Sequence, residues 1–325
     1  MSDTLAPTNS NIGHAAQQDI PANPTQLQRP AFLLNFPFSY STQVANNAWM
    51  RDLDDRQRRP DFKWAMVQFL EVYRCMASQA VVYLLPTPRG ADLQDLVFTG
   101  NLGVVLEHHE GQNTVVISNF TSEPRRGETA VGVRFFEGMG YDVHISPHRF
   151  EGDAELKHLH DNIYVGGYGI RSERETYDWM EDQFDMKVVK VRETDDYLYH
   201  LDCTVFPLTR EDTLVCTEMF QREEIAQLER YTNIIDVSVA DCYQGICNSV
   251  RLSNVILNSS RIHELKRGTE EYALELHKNR TLEDIATGAA FEVSYFNLSE
   301  YEKGGALLSC MVLHLNRYSY AFKLV

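Results

Sequence analysis

A cysteine near the C-terminal end of the chain has surroundings that suit a nucleophile. In YEKGGALLSCMVLHLN (301–316), Cys310 follows Gly304 and Gly305 and stands inside a short apolar run. Free cysteine is often a buried packing residue, so this residue alone does not decide between packing and catalysis. The thiolate is the attacking form of cysteine, and a neighbouring protonated histidine lowers its pKa. The chemistry therefore depends on which other side chains lie near Cys310.

Further polar residues interrupt otherwise apolar, strand-like stretches. These stretches are DLVFTGNLGVV with Asp95 and Asn101, EPRRGE with Arg125, RFEGDAE with Glu151 and Asp153, GGYGIRS with Arg171, and LYHLDCTVFPL with His200 and Asp202. A histidine can give a proton to a leaving amine. Carboxylates bind planar cations through paired hydrogen bonds, and arginines bind carboxylates in the same way. These residue types form a coherent set for covalent chemistry on a planar cation, but the pattern alone does not show that they converge.

The elements that must position these residues alternate along the chain. DFKWAMVQFLEVYRCMASQA (61–80) repeats apolar residues at a three-residue spacing and predicts a helix. Strand-like runs such as NTVVISNF and MKVVKV alternate with helical segments such as SERETYDWMEDQF. LSEYEKGG predicts a short helix that ends at Gly304 and Gly305, which puts Cys310 in the following strand. Many short alternating elements indicate an α/β or α+β domain.

Composition argues against several classes of function. The 325 residues carry 46 acidic and 30 basic side chains, a net charge of −16, which argues against nucleic-acid and anionic-membrane partners because both need a basic surface. No run approaches 18 apolar residues, so we expect no transmembrane helix.

Residues 1–30 are polar, predict a disordered tail and lack the apolar segment of a signal peptide. Residues 31–325 are predicted to form one catalytic domain. Six cysteines without a C-x-x-C pair favour a reduced, cytoplasmic protein.

Two histidine-rich stretches and one cysteine pair are weaker candidates for a site. HHEG (108–111) and KHLH (157–160) lack a third ligand at a suitable spacing, and we interpret them as surface turns. Cys242 and Cys247 lie five residues apart in a strand-like stretch, where they would point to opposite faces. We therefore predict no metal site, and no cofactor motif is present.

The order of the motifs resembles the pentein superfamily of guanidine-modifying enzymes. FxGN (98–101), FEG (150–152), GYGxRS (167–172), YHLD (199–202) and GGAxxxC (304–310) follow one another as in arginine dihydrolases and dimethylarginine dimethylaminohydrolases. The resemblance runs from about Phe32 to Asn316. It implies an α/β propeller of five ββαβ-like modules around a pseudo-fivefold axis, with the active site in the central channel.

The resemblance also implies a role for each candidate residue. Cys310 matches the nucleophile that attacks the guanidino carbon, His200 the general acid and base, and Glu151 the carboxylate that holds the guanidinium. The candidates for substrate binding are Asn47, Asp95, Asn101, Arg125, Asp153, Arg171 and Asp202. Among these, Arg125 and Arg171 match positions that bind the α-carboxylate, and Arg125 is chosen over its neighbour Arg126 by alignment only. Asp202 is expected to contact the histidine, either Asp153 or Glu155 takes the acidic position after FEG, and Asn248 is expected near the site.

The implied activity is hydrolysis of the guanidino group of arginine or a close derivative through a covalent thiouronium intermediate. Asn101 stands where deiminases carry aspartate, and a neutral amide suits a second hydrolysis of citrulline to ornithine. The alternatives are an amidinotransferase that passes the amidino group to an amine, a dimethylarginine dimethylaminohydrolase, and an enzyme for a modified arginine. A non-catalytic binding or assembly protein is a further alternative, but it would be expected to lack the cysteine, the histidine or the carboxylate. The implied partner is a small guanidino substrate, and homo-oligomerisation stays open.

Overall fold

The computed structural model describes residues 24–109 and 113–321. The strands are β1 Ala31–Leu34, β2 Val81–Leu84, β3 Gly103–Val105, β4 Thr114–Ile117, β5 Asp142–Ile145, β6 Leu156–His160, β7 Ile163–Tyr168, β8 Lys187–Arg192, β9 Val205–Pro207, β10 Asp212–Val215, β11 Asn233–Asp236, β12 Val250–Leu252, β13 Val255–Ser259, β14 Glu292–Phe296 and β15 Leu313–His314. The helices are α1 Ala48–Asp52, α2 Phe62–Ala77, α3 Glu128–Gly138, α4 Arg174–Phe184, α5 Arg222–Leu228, α6 Val239–Tyr243, α7 Glu270–Gly288 and α8 Ser299–Glu302.

The described strands form five separate three-stranded sheets. The strand orders are β15-β1-β2, β3-β4-β5, β6-β7-β8, β9-β10-β11 and β12-β13-β14. In every sheet the central strand pairs antiparallel with the first strand and parallel with the last. A parallel pair needs a crossover connection, and in each module that connection contains one or two helices. The structure thus confirms the predicted α/β class and shows five modules of ββαβ order.

The two ends of the domain meet in one sheet. Strand β1 pairs with β15 so that Phe32 lies opposite His314. The predicted tail falls mostly on residues 1–23, which lie outside the described residues. Residues 24–30 pack against the domain, because the side-chain amide of Asn316 donates to the carbonyl oxygens of Pro24, Leu27 and Arg29 at 3.1, 3.3 and 2.9 Å.

Apolar packing explains why these segments take their observed form. The helix predicted over 61–80 is confirmed as α2. The Asp61 carboxylate caps it by accepting from the amides of Lys63 and Trp64, while Phe69 and Val72 are fully buried on its inner face. Strand β4 is buried along its whole length, as expected for a strand covered on both faces.

The motif residues lie in turns and not in strands, which corrects the sequence prediction. Cys310 is in the 3-10 turn Ser309–Met311, which precedes β15. His200 likewise precedes the turn Leu201–Cys203. The apolar neighbours of these residues point into the core from a turn just as they would from a strand. Short apolar runs therefore do not distinguish the two conformations.

Two interpretations of smaller motifs are wrong. KHLH contributes to strand β6, where His158 is buried and not part of a surface turn. Cys242 lies in helix α6, and its thiol is hydrogen-bonded to those of Cys216 and Cys247, so the two cysteines of the pair do not point apart. All six cysteines are nevertheless free thiols.

The described part of the chain contains neither a metal-binding cluster nor a membrane-spanning helix. No group of three or more His, Cys, Asp and Glu side chains there is placed to hold a metal ion. No helix there combines the length and the apolar character needed to cross a membrane. The last two residues of HHEG lie outside the described residues.

Candidate active site

In each module, the short segment before the first strand carries a polar residue or, in one module, the cysteine. These residues are Asn101 before β3, Glu151 before β6, His200 before β9, Asn248 before β12 and Cys310 before β15. The segments approach one another closely. A Cβ atom on Gly152, which has a φ of +70°, would lie 2.7 Å from the carbonyl carbon of Asn101. The fivefold repetition of one module thus brings five polar side chains from distant parts of the sequence to one place.

A small cavity of about 20 Å³ lies among these residues. The predicted residues that line it are Asn47, Asp95, Asn101, Arg125, Arg171, His200 and Cys310. Its volume is about that of one water molecule. The structure brings Glu151 and Asp202 into direct contact with lining side chains, whereas Asp153 is placed elsewhere.

His200 and Glu151 form a hydrogen-bonded pair that Arg171 completes. Nε2 of His200 donates to Oε2 of Glu151 at 2.8 Å, and Nη1 of Arg171 lies 3.6 Å from Oε1 of the same carboxylate. Burial disfavours the charged form of Glu151, but the Arg171 guanidinium and the His200 hydrogen bond outweigh it and lower the pKa of Glu151 to about 2. Burial lowers the pKa of His200, against the opposing effect of Glu151. The resting pair is therefore a carboxylate and a neutral imidazole.

Cys310 lies between an acceptor and a donor. Its thiol donates to Oδ2 of Asp202 at 3.6 Å, and the side-chain amide of Asn248 donates to its sulfur at 3.6 Å. Asn248 also accepts from the amide of Ser309 at 2.8 Å. Burial, and then the Asp202 carboxylate, raise the pKa of the Cys310 thiol to about 12. Without substrate the Cys310 side chain is therefore a neutral thiol.

The expected contact between Asp202 and His200 is absent from the hydrogen bonds of the described residues. Asp202 instead accepts from the hydroxyl of Ser309 at 2.5 Å and from the thiol of Cys310. Its other oxygen lies 3.7 Å from the sulfur of Cys203. Asp202 follows His200 by two residues across a turn, which points its side chain towards the Cys310 turn. Asp202 is thus a hydrogen-bond partner of Cys310.

Two arginines give one side of the cavity a positive charge. Glu128 binds Arg125 through two hydrogen bonds, at 3.1 Å to Nε and 2.9 Å to Nη2, which fixes the plane of the guanidinium. Arg171 donates to the carbonyl oxygen of Asn46 at 2.7 Å and lies 4.8 Å from the centre of the Tyr199 ring. Arg125 is buried and its neighbour Arg126 is exposed, so the choice between them agrees with the structure.

Asp95 and Asn101 also line the cavity. Oδ2 of Asp95 accepts from the side-chain amide of Asn46 at 2.7 Å. Burial raises the pKa of Asp95, and the Arg125 guanidinium opposes that shift. The side-chain nitrogen of Asn101 lies 3.5 Å from both ring nitrogens of His200. Asn101 therefore faces the His200 ring directly.

Asn47 links the N-terminal motif to the cysteine segment. Its side-chain oxygen caps helix α1 by accepting from Met50 at 2.9 Å, and its nitrogen donates to the carbonyl oxygen of Gly304 at 2.9 Å. Gly305 has a φ of +74°, and a Cβ atom on it would lie 2.5 Å from the Asn47 oxygen. A glycine is required there by both the backbone conformation and the close approach.

Asp153 does not line the cavity, which corrects its assignment as a substrate-binding residue. Its carboxylate is bound by Nη2 of Arg317 at 2.5 Å and by Nδ1 of His314 at 2.8 Å. Both partners are at least 150 residues away in the sequence, so no local pattern indicates this pairing. Glu155, the other candidate for the acidic position, is fully buried outside the cavity lining.

Several residues of the site were not among the sequence candidates. Asn46 and Tyr199 line the cavity, Glu128 holds Arg125, and Ser309 binds Asp202. The first two immediately precede predicted residues, so NN and YH could have been read as pairs. The i, i+3 spacing of Arg125 and Glu128 is also visible in EPRRGE.

A larger groove of about 1440 Å³ lies away from these residues. It is lined by His108, His109, His158 and His160 together with Arg210 and Arg317. Glu107 binds both His158 and Arg210, at 3.0 and 2.8 Å. The groove contains neither a cysteine nor the residues of the small cavity, so its size does not make it the reaction site.

Comparison with known sequences agrees with this geometry. The sequence model of the family described as eukaryotic N,N-dimethylarginine dimethylhydrolase matches residues 35–317. The bifunctional arginine dihydrolase/ornithine cyclodeaminase AgrE of Nostoc is 28% identical over 293 residues, which are 88% of this chain and 38% of AgrE. The corresponding enzyme ArgZ of Synechocystis is 26% identical over 285 residues, or 86% of this chain and 37% of ArgZ. This chain therefore spans less than two fifths of the length of these relatives.

Solved structures show the same fold. The product-bound N-terminal domain of ArgZ, an arginine dihydrolase of the cyanobacterial ornithine-ammonia cycle, superposes with a TM-score of 0.75 at 26% identity over 88% of this chain and 97% of that domain. A variant of that domain covalently bonded to a reaction intermediate has a TM-score of 0.75 at 25% identity, over 88% of this chain and 97% of that one. A dimethylarginine dimethylaminohydrolase adduct shares the fold at a TM-score of 0.62 and 18% identity, over 88% of this chain and 99% of that one.

Proposed function

Because this chain belongs to the eukaryotic N,N-dimethylarginine dimethylhydrolase family, we propose that it hydrolyses the guanidino group of arginine or of a close derivative. One observation carries the proposal. The nucleophile Cys310, the His200–Glu151 pair and two arginines meet at a single small cavity although they come from different modules. We also propose that the five modules stand around a pseudo-fivefold axis with this cavity in the central channel, which the closure of β1 on β15 supports.

The charges around the cavity suit a substrate with a cationic and an anionic end. Arg125 and Arg171 line the cavity, and a carboxylate would bind a guanidinium in bidentate geometry. Asp95, Glu151 and Asp202 provide carboxylates for a cation. An amino acid that ends in a guanidinium, with its α-carboxylate at the other end, matches both groups. This pattern supports arginine over a guanidine compound without a carboxylate.

Because the pKa of Cys310 is raised, the positive charge of the substrate helps to form the thiolate. A guanidinium beside the thiol stabilises the thiolate and offsets the cost that burial and Asp202 impose. The thiol proton passes to His200, and Sγ forms a bond to the guanidino carbon. His200 then returns the proton to one nitrogen, which leaves as ammonia and gives an S-alkylthiouronium. Because the pKa of His200 is lowered in the resting site, His200 accepts this proton only when negative charge develops beside it.

Water completes the reaction with His200 as the base. The first hydrolysis releases citrulline, and a second would give ornithine, carbon dioxide and a second ammonia. The neutral amide of Asn101 supports the second step, because an amide can hydrogen-bond an uncharged urea as well as a cation. AgrE and ArgZ, which contain arginine dihydrolase activity by name, are consistent with this route. We place the enzyme in the cytoplasm, a proposal that its six free thiols support.

Hydrolysis of dimethylarginine is the second candidate, and the description of the matching family favours it. In that reaction the leaving group is dimethylamine and the product is citrulline. The two candidates therefore differ in leaving group and in whether turnover continues to ornithine.

A substrate panel tests both candidates. The purified protein is incubated with arginine, methylated arginines, agmatine and citrulline, and ammonia, methylamines, citrulline and ornithine are quantified. Cys310→Ser serves as the control because it keeps the shape of the side chain and removes the thiolate. We expect ornithine and ammonia from arginine. Dimethylamine as the main product would support the second candidate, and equal product from Cys310→Ser would exclude the mechanism.

A further inference from the structure

A pair of buried carboxyl groups lies behind the active site and takes no part in the chemistry proposed above. Glu155 is fully buried and Glu193 is 6% exposed. Glu155 follows the turn that Glu151 begins, and Glu193 follows strand β8. The two carboxyl groups lie within hydrogen-bonding distance of each other.

The surroundings of this pair offer it few donors. Three of its four carboxyl oxygens, Oε1 of Glu155 and both oxygens of Glu193, have no hydrogen-bond donor among the described residues. Both groups converge on the backbone of Gly167, where a Cβ atom would lie 2.8 Å from Cδ of Glu193 and 2.9 Å from Oε2 of Glu155. Glycine at this position therefore leaves the room that the pair occupies.

Two carboxyl groups in such contact cannot both be ionised at low cost. A hydrogen bond between them requires one proton, and like charges at this separation raise the pKa of one member strongly. Burial and then Glu193 raise the pKa of Glu155 well above its ordinary value. Burial likewise raises the pKa of Glu193, with further contributions from Asp202 and Glu151.

The pair connects to the catalytic residues through one backbone amide. Oε2 of Glu155 accepts from the amide of Leu201 at 3.3 Å, and Leu201 is the residue between His200 and Asp202. The backbone carbonyl of Glu155 accepts from the amide of Gly167 at 2.9 Å, which fixes Glu155 against β7. The pair thus holds the turn that carries both His200 and Asp202.

We propose that Glu155 and Glu193 are positioning residues that share one proton and, through the Leu201 amide, hold the His200–Asp202 turn in its active position. Loss of the shared proton at alkaline pH places a second negative charge in the pair and displaces that turn. The catalytic part of this inference rests on the proposed function, whereas the shared proton does not. The titratable and charged groups that face the pair are Glu151, Arg171, Tyr177, Asp202 and Cys203.

Two measurements without substrate test the shared proton. The infrared difference spectrum of the wild type minus Glu155→Gln/Glu193→Gln at neutral pH should contain the carbonyl stretch of a protonated carboxylic acid. The folded pair keeps a proton that ordinary glutamates of the unfolded chain release, so stability is lost as pH rises through the titration of the pair. Relative to Glu193→Gln, the unfolding constant of the wild type should rise by up to tenfold per pH unit in that range.

Glu223→Gln is the matched control, since Glu223 is an exposed glutamate of helix α5. Its infrared spectrum and its pH dependence of unfolding should follow the wild type. Absence of the carboxylic acid band, or parallel unfolding constants for the wild type and Glu193→Gln at every pH, would overturn the shared proton. Because the stability comparison uses the single variant Glu193→Gln, it still tests the shared proton if the double variant Glu155→Gln/Glu193→Gln fails to fold.

The positioning role is tested by the pH profile of turnover. Glu193→Gln cannot ionise at this position, so the alkaline limb of its kcat profile should move upward by at least one pH unit. Glu155→Leu, which removes the acceptor of the Leu201 amide, should lower kcat more than tenfold with little change in KM, and Glu155→Gln should restore most of the loss. An unchanged alkaline limb in Glu193→Gln would overturn the positioning role. A protein without guanidino hydrolysis but with the acid band would instead refute the proposed function alone.

Discussion

A cation should activate the Cys310 thiol far more than a neutral molecule of the same shape. Burial and Asp202 raise the pKa of this thiol from 9.0 to about 12. This shift of about three units corresponds to about 4 kcal/mol. Two unit charges about 4 Å apart interact by about 4 kcal/mol at the effective dielectric constant of a protein site. A bound guanidinium or amidinium therefore offsets most of the penalty and increases the thiolate population about 10³-fold.

Alkylation of the resting enzyme measures this effect directly. A haloacetamidine is a cation and the corresponding haloacetamide is its neutral isostere, so the pair differs mainly in charge. The rate of modification of Cys310 is followed by intact-protein mass spectrometry, and each rate is divided by the rate with a small free thiol. We expect the corrected ratio of cation to neutral reagent to approach 10³ and to fall in high concentrations of guanidinium salt.

The neutral reagent provides the second half of the test. Its rate should keep rising with pH beyond the range in which an ordinary thiol ionises, because the resting pKa is about 12. A corrected ratio near one would refute the substrate-assisted ionisation. So would a neutral-reagent profile that levels off below pH 8, since it would mean that the thiolate is already present without a cation.

Three substitutions test other parts of the site. Arg171→Ala should raise the KM for arginine by about 10- to 100-fold, which corresponds to the loss of one charge-assisted hydrogen bond of about 1.5–3 kcal/mol. The effect on agmatine, which lacks the α-carboxylate, should be much smaller. Equal effects on the KM of both substrates in steady-state assays would contradict carboxylate binding. Asn101→Asp should stop the reaction at citrulline, and an unchanged ratio of ornithine to citrulline by mass spectrometry would remove Asn101 from the second hydrolysis. Gly305→Ala should destabilise the fold by about 1–3 kcal/mol in urea titrations through its clash with Asn47. Gly138→Ala, where a Cβ atom meets nothing within 4 Å, is the control, and equal stability of both variants would contradict the steric argument.

The order of the motifs predicts several of the residues that meet at the small cavity. Cys310, His200, Asn101 and Arg171 all reach the cavity that the structure shows. The reason for their convergence is not visible in the sequence, because the five modules share an architecture without a detectable internal repeat. Only the structure shows that Asn101, His200 and Cys310 occupy the same place, immediately before the first strand of a module, whereas Arg171 follows the second strand of its module.

Ion pairs between residues far apart in the sequence explain why the sequence prediction for Asp153 differs from the structure. Asp153 was assigned to the substrate because it follows FEG, but Arg317 and His314 bind it, and these residues belong to the closing end of the chain. Glu193 is not among the sequence candidates for the same reason, because its partner Glu155 precedes β6 whereas Glu193 follows β8. A single sequence reports periodicity and local spacing, whereas pairings of this kind depend on the complete fold.

Trapping of the covalent intermediate tests the central claim most directly. The enzyme is mixed with arginine labelled at the guanidino carbon, quenched in acid within one turnover, and examined as intact protein and as peptides by mass spectrometry. The account predicts label attached to the peptide that contains Cys310 in the wild type and none in Cys310→Ser. Turnover of arginine by the wild type without label on Cys310, or with label on another residue, would contradict it.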